Sequence, residues 1–152
     1  MFHYTMSGLD YIWLKNGYRV RETQHGEAVS IEDMEGLHRL IAQDIVSNRV
    51  TLTGSEFRFL RKELKLSQES LASVLGNEAQ TVSLWERGEV SVPKMADRML
   101  RALYIETTTG EAGVRQAVER INDLERELHE LKQEHQLRLE LEGTPDGWAL
   151  AA

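Results

Sequence analysis

Between Leu60 and Gly88 the chain reads LRKELKLSQESLASVLGNEAQTVSLWERG, and this stretch leaves the backbone little choice. Ser67 suits a helix N-cap, Leu71, Ala72 and Leu75 recur at helical spacing, and Gly76 stands where a left-handed residue ends a helix. Asn77 is then the expected cap of a second helix, in which Val82 and Trp85 form a buried stripe and Gly88 ends the run. The segment is two short helices joined by a tight turn, each with a glutamine near its start, Gln68 and Gln80.

The flanks extend the helical pattern. Thr53-Gly54-Ser55-Glu56 is a capping box for a helix that buries Phe57, Leu60 and Leu64. After Ser91 or Val92, Pro93 favours the first turn of another helix, with Met95, Met99, Leu100, Leu103 and Tyr104 on its apolar side. The expected fold class is therefore mainly α, with a compact bundle of five helices or nearly so over residues 53–106.

The offsets of Leu71-Ala72, Gly76, Val82 and Trp85-Glu86-Arg87-Gly88 closely resemble those of the helix-turn-helix in Cro/cI (XRE) repressors. That resemblance implies double-stranded DNA as the ligand, with the helix beginning near Asn77 entering the major groove. Ala79, Gln80, Thr81 and Ser83 face outward at its start, where an amide can pair bidentately with adenine. Ala79 and Leu84 depart from the polar residues often found in such repressors, and an apolar contact with a thymine methyl would suit them. Gln68 falls where the DNA backbone crosses, and its amide and the free helix N–H groups suit a phosphate. The expected DNA-binding set is Gln68, Ala79, Gln80, Thr81, Ser83, Leu84, Arg87, Lys62 and Lys94. In the same family an arginine of the first helix pairs with a glutamate near the end of the recognition helix. Arg61 and Glu86 occupy those positions and are read as a structural ion pair.

A net charge of −7 runs against DNA binding until it is divided along the chain. Residues 1–53 carry five Lys/Arg and seven Asp/Glu, residues 54–104 eight and seven, and residues 105–152 five and eleven. The acidity is concentrated at the C-terminal end. The middle segment holds Arg58, Arg61, Lys62, Lys65, Arg87, Lys94, Arg98 and Arg101, a modest local patch that dimerisation would double. Arg98 and Arg101 fit an ordinary mixed helical surface equally well.

Upstream the period changes. Tyr11-Ile12-Trp13-Leu14 and Tyr18-Arg19-Val20 flank Asn16-Gly17, a dipeptide suited to a type I′ hairpin turn, and Gly26–Ile31 could add a third strand. Ser30 followed by Asp33 then opens a helix with Met34, Leu37, Ile41 and Ile45 on one side. Residues 1–52 are expected to form a small β-sheet plus helix. GLDYIWLKNGY, GEAVSIEDMEGLHRLIA and LTGSEFRFLRKEL, spread over Tyr4–Tyr104, resemble bacterial zinc-finger/helix-turn-helix proteins of the YgiT (MqsA antitoxin-like) type. In that family paired CxxC motifs bind zinc, and the domain they organise can neutralise a toxin. This chain has no cysteine, and Ser7 stands where one often precedes Gly-Leu-Asp, so the zinc site is not inherited.

The C-terminal third has a seam of its own. Beyond Thr107-Thr108-Thr109-Gly110, read as a hinge, Val114, Ala117, Ile121, Leu124, Leu128 and Leu131 alternate by three and four. With Val114 at a, the g residues Arg120 and Glu127 face the e residues Glu125 and Lys132 of a parallel partner. Residues 111–142 are therefore expected to be an amphipathic dimerisation helix of a homodimer, or else a helix folded back on its own chain. Gly143 and Pro145 end it, leaving 143–152 as a flexible tail.

Other chemistry finds little footing. There is no GxSxG, no phosphate-binding glycine loop and no dense carboxylate or histidine cluster, so no catalytic residue, metal site or cofactor is expected. Glu32, Asp33 and Glu35 suit charges at a helix start. No stretch approaches the roughly 18 apolar residues of a membrane span, and no secretory leader is evident, so a cytoplasmic protein is expected. Two function classes follow from the resemblances. One is a dimeric transcriptional repressor on a palindromic operator. The other is an antitoxin-like protein that binds a partner toxin and autoregulates its operon.

Overall fold

The structure is a computed structural model that describes residues 1–109, 123, 126, 127, 130 and 141–150. It divides into two compact units, Met1–Gln116 and Ala117–Ala152. In the first unit the element order is β1 (Phe2–His3), β2 (Trp13–Leu14), β3 (Tyr18–Thr23), β4 (Gly26–Ile31), α1 (Met34–Asn48), α2 (Gly54–Glu63), α3 (Gln68–Leu75), α4 (Ala79–Glu86) and α5 (Lys94–Thr109).

The five-helix bundle draws one of its helices from upstream of residue 53. α1 buries Ile41, Ala42 and Ile45 in the same core as Phe57, Leu60, Leu71, Val82 and Leu100. Tyr4 and Leu9, each 2% exposed, belong to that core too. The boundary expected at residue 52 thus does not separate two hydrophobic cores. An amphipathic helix must bury its apolar stripe somewhere, and α2 offers α1 the nearest apolar surface.

The helix ends follow local chemistry. Thr53 accepts from the Glu56 N–H while Glu56 accepts from the Thr53 N–H, so the capping box of α2 is complete. Ser67 accepts from the Ser70 N–H to cap α3. Gly76, at φ +72°, closes α3, and the Asn77 N–H reaches back to the Ala72 carbonyl at 2.8 Å. This closure makes Asn77 the residue after the left-handed cap of α3, two positions before the first residue of α4. Consequently Glu78, not Asn77, sits at the N-cap of α4, and it makes no side-chain capping bond. Asp33 likewise caps α1 by accepting from the Gly36 N–H, whereas Ser30 lies inside β4.

Three other expectations change. The strands form separate antiparallel pairs, β1 with β2 and β3 with β4, rather than one sheet. Asn16-Gly17 links β2 to β3 without pairing them, and the hairpin turn falls at Thr23–Gly26, where the Thr23 hydroxyl donates to the Gly26 carbonyl at 2.7 Å. α5 continues through the three threonines of the expected hinge, to Thr109. Thr107 and Thr108 donate their hydroxyls to the carbonyls of Leu103 and Tyr104 one turn back, so the hydroxyls are satisfied within the helix. On α5 itself Ala96 is buried and Met95 is 77% exposed, so the apolar stripe begins one residue later than expected.

In the second unit, β5 (Leu141–Thr144) pairs with β6 (Gly147–Leu150) where a flexible tail was expected. The physical reason is legible in Thr144-Pro145-Asp146-Gly147: proline presets the turn, and Gly147 takes φ +122°. The heptad residues Val114, Ala117, Ile121, Leu124, Leu128 and Leu131 lie outside the described residues.

Candidate nucleic-acid interface

The angle between α3 and α4 is fixed from below by a buried polar node. Arg61 on α2 donates to Glu86 through Nε at 2.7 Å and Nη2 at 2.9 Å, a two-point grip on the last residue of α4. Its remaining nitrogen, Nη1, donates to the Leu66 carbonyl at 2.9 Å in the link between α2 and α3. Both side chains are nearly sequestered from solvent, so removing either partner would strand a charge. The pairing expected of Arg61 and Glu86 is present.

Gln68 joins this node. Its amide Nε2 donates to Glu86 Oε1 at 3.0 Å, which ties the first residue of α3 to the last of α4. The side chain is half-buried rather than free, a role that spacing alone did not reveal. Its amide oxygen still faces no partner among the described residues. A glutamine held this way presents its remaining polar atoms in one orientation.

A second constraint comes from a close approach. A Cβ on Gly54 would stand 2.2 Å from the Trp85 carbonyl oxygen and 2.7 Å from that of Glu86. The N-terminus of α2 therefore packs directly on the C-terminal carbonyls of α4, which its dipole favours. Phe57 meets Trp85 edge to face, with ring centroids 5.8 Å apart. Trp85 is core.

With Val82, Trp85 and Glu86 turned inward, α4 leaves Gln80 exposed and Ala79, Thr81, Ser83 and Leu84 partly so. These five residues share the helix that the node holds in place. Lys62 and Lys94 are exposed and have no ion-pair partner among the described residues. Arg87 is exposed but leans on Glu89 at 3.5 Å and, more weakly, on the Ser83 carbonyl at 3.4 Å.

The cationic patch read from the sequence loses two members. Arg61 is spent on Glu86. Arg101 is buried against Asp97, with Nε to Oδ1 at 2.7 Å, and its Nη1 donates to the carbonyls of Val46 and Arg49 at the end of α1. Asp97 also accepts the Leu52 N–H at 2.7 Å, so the pair stitches α5 to the α1–α2 connection. The i, i+4 spacing of Asp97 and Arg101 was a signal for this pair, though not for its burial.

The strands are tied to the bundle by a further node that the sequence did not disclose. Tyr11 donates to Glu56 Oε2 at 2.6 Å, Arg49 Nε donates to the same oxygen at 2.7 Å, and the Arg49 guanidinium lies 5.1 Å from the Tyr11 ring centre. Burial pushes the Glu56 carboxyl up, but the hydrogen bonds from Thr53, Tyr11 and Arg49 outweigh it and hold the group below its ordinary range. Burial and the bond to Glu56 push the Tyr11 phenol up to about 12.

Among the described residues no group of His, Asp and Glu side chains could hold a metal ion, and no helix is long and apolar enough to cross a membrane. No curated protein and no solved structure matches the chain. Residues 57–103, from the middle of α2 to near the end of α5, match the family described as helix-turn-helix. The matched span contains α3, α4 and the Arg61–Glu86 node, and this part of the chain is a Cro/cI-type (XRE) helix-turn-helix domain, the DNA-binding domain of transcription regulators.

Proposed function

We propose that the protein is a dimeric repressor that reads a palindromic operator through α4, one α4 helix entering the major groove at each half-site. The single observation that carries this reading is the presentation of α4: Gln80 is exposed at its first turn, while Glu86 at its other end is clamped by Arg61 and Gln68. A clamped helix offers its outward side chains in a fixed geometry, which direct readout of base edges requires. In this reading Gln80 is the base-reading residue, with Thr81, Ser83, Ala79 and Leu84 beside it. Lys62, Lys94, Arg87 and Gln68 contact the phosphates. The reading assigns no catalytic step and no cofactor.

The dimer is supported by the heptad pattern from Val114 to Leu131, and two half-sites one helical turn apart would be bound as a single tethered unit. Footprinting of the full chain on its own upstream DNA tests the reading. The expected result is a protected, two-fold symmetric site. Protection only after a co-purified protein is added would favour the antitoxin-like alternative, and no protection under either condition would remove the operator.

Full-length Gln80→Ala, titrated against the footprinted duplex and a scrambled one, supplies the finer test. Loss of a bidentate amide should cost about 1–3 kcal/mol on the cognate duplex and little on the scrambled one, because nonspecific binding rests mainly on phosphates. Equal losses on both would make Gln80 a positioning residue instead.

A further inference from the structure

Beside Glu86 the first unit contains a polar recess of about 200 Å³. One wall is α2, through Ser55, Arg58 and Lys62, and the other is the loop Thr5–Gly8. Glu86 reaches the recess but carries its charge into the two-point bond with Arg61 and a third bond from Gln68. Arg58 and Lys62 are different. Both are exposed, and neither has an ion-pair partner among the described residues. Four residues apart on one helix, they stand on the same face, and two like charges so placed repel each other until an anion lies between them.

The loop is not a loose end. Tyr4 and Leu9, which flank it, are both buried in the core, and the Tyr4 N–H donates to the Ile12 carbonyl at 2.9 Å. Inside the loop the Gly8 N–H donates to the Thr5 carbonyl, and the Ser7 hydroxyl bridges the Tyr4 carbonyl and the Leu9 N–H. Ser7 is thereby used up. The Thr5 hydroxyl, exposed beside the two cations, makes no hydrogen bond among the described residues.

We infer that Arg58, Lys62 and the Thr5–Gly8 loop together hold one DNA backbone phosphate, so that the N-terminal segment extends the DNA footprint beyond the matched domain. The inference rests on the DNA-binding reading above. It also gives the first strands a task that needs no metal: they pin a loop against α2. A guanidinium, an ammonium and a hydroxyl converging on one recess suit a phosphate's several acceptor oxygens. Spent on one phosphate, these groups read no base edge, so the contact adds affinity and register without sequence information.

The test uses the full chain and a random-sequence duplex, followed by fluorescence anisotropy over a series of salt concentrations. Arg58→Gln and Thr5→Glu, both at exposed positions, are each expected to weaken binding about three- to tenfold at low salt. Each should flatten the salt slope by about one, the loss of one neutralised phosphate. Because both act on the same phosphate, the double variant should lose less than the product of the two single losses. Thermal melts of the variants matching the parent would separate these losses from unfolding. If Thr5→Glu binds like the parent while Arg58→Gln does not, the loop is no part of the contact and the inference falls, with DNA binding intact. Losses that multiply in full would overturn it too, by making the two contacts separate. If the parent itself fails to bind any duplex, the functional reading fails first.

Discussion

The helix-turn-helix and the strands that precede it are held in place by different kinds of force. In α3 and α4 nearly every boundary is set by a residue within a few positions: Ser67 caps one end, Gly76 closes the other, and Val82 and Trp85 follow from helical spacing. The strands of residues 1–31 form only two-stranded pairs, and an isolated pair is marginal in water. Their anchorage comes from distant residues, chiefly Tyr11 on Glu56 and Tyr4 beside His38, whose Nε2 lies 2.7 Å from the phenol oxygen. Local chemistry builds the first region, and long-range ties position the second, polar at Tyr11 and apolar where Tyr4 and Leu9 enter the core.

The largest expected effect tests a long-range tie on which the helix-turn-helix does depend. Arg61→Ala leaves Glu86 buried with only the Gln68 amide as partner, and loss of one member of a buried pair costs about 3–5 kcal/mol. Chemical denaturation should register it as a fall in midpoint at unchanged slope. A variant that unfolds like the parent would mean that caps and spacing alone hold α4, and the contrast between the two regions would then be complete rather than partial.

Next comes Gly54→Ala, expected to cost about 1–3 kcal/mol because the added methyl overlaps backbone rather than a side chain that could turn aside. In an ordinary first turn of a helix the same change is favourable. Equal or higher stability would show that α2 can slide on α4 without penalty.

How much of this was legible in the sequence follows the same division. The capping box at Thr53, the closure at Gly76 and the core positions Phe57, Leu60, Leu71 and Val82 could all be read, because each signal and its consequence lie within one or two turns. Asn77 was misread as a cap because two local rules competed for it, and closing α3 won. Asn16-Gly17 was misread as a hairpin turn. Turn propensity says where a chain can reverse, not which strands pair, and β2 finds its partner in β1 instead. For the interface, the exposure of Gln80 was readable, but the bond from Gln68 to Glu86 and the burial of Arg101 depend on how helices cross. The Tyr11–Arg49–Glu56 node had no signal, since its three members lie on three segments with no shared period.

The strands' dependence on that node can be titrated. Tyr11→Phe removes a hydrogen bond to a buried carboxylate, expected to cost about 1.5 kcal/mol. Hydrogen exchange should show residues 1–31 opening before α2–α5, and earlier in the variant. The pH dependence has two sides. Glu56 is held below its ordinary value of 4.5, so its contribution is complete above that value and is lost as pH falls through the lowered one. Tyr11 is raised from 10.0 to about 12, so its contribution is intact below 10 and is lost as pH rises through about 12. Tyr11→Phe should remove Tyr11's share of the alkaline loss, leaving the shares of Tyr4 and Tyr104, whose phenols burial also raises, and should leave an acid loss. Exchange that is uniform across the first unit would erase the distinction between the two regions.

The smallest effect lies at the joint between α2 and α3, where local chemistry is at its least favourable. Lys65 adopts φ +57° at the position that closes α2, with the Leu66 N–H donating to the Arg61 carbonyl at 3.2 Å. At Gly76 the equivalent closure is made by a glycine, so the same geometry occurs twice in one domain, once relaxed and once strained. A left-handed residue other than glycine costs about 1–2 kcal/mol, part of which glycine returns through its greater freedom when unfolded. Lys65→Gly should therefore raise stability by about 0.5–1 kcal/mol, read as a higher melting temperature. The lysine it removes is exposed and lies just past the end of α2, three residues beyond Lys62, so duplex affinity should fall as stability rises. Opposite movement of the two quantities would identify Lys65 as a cation kept for its charge in a place where the backbone prefers glycine. If affinity holds while stability climbs, the strain has no counterpart in binding, and the cationic surface of α2 ends at Lys62.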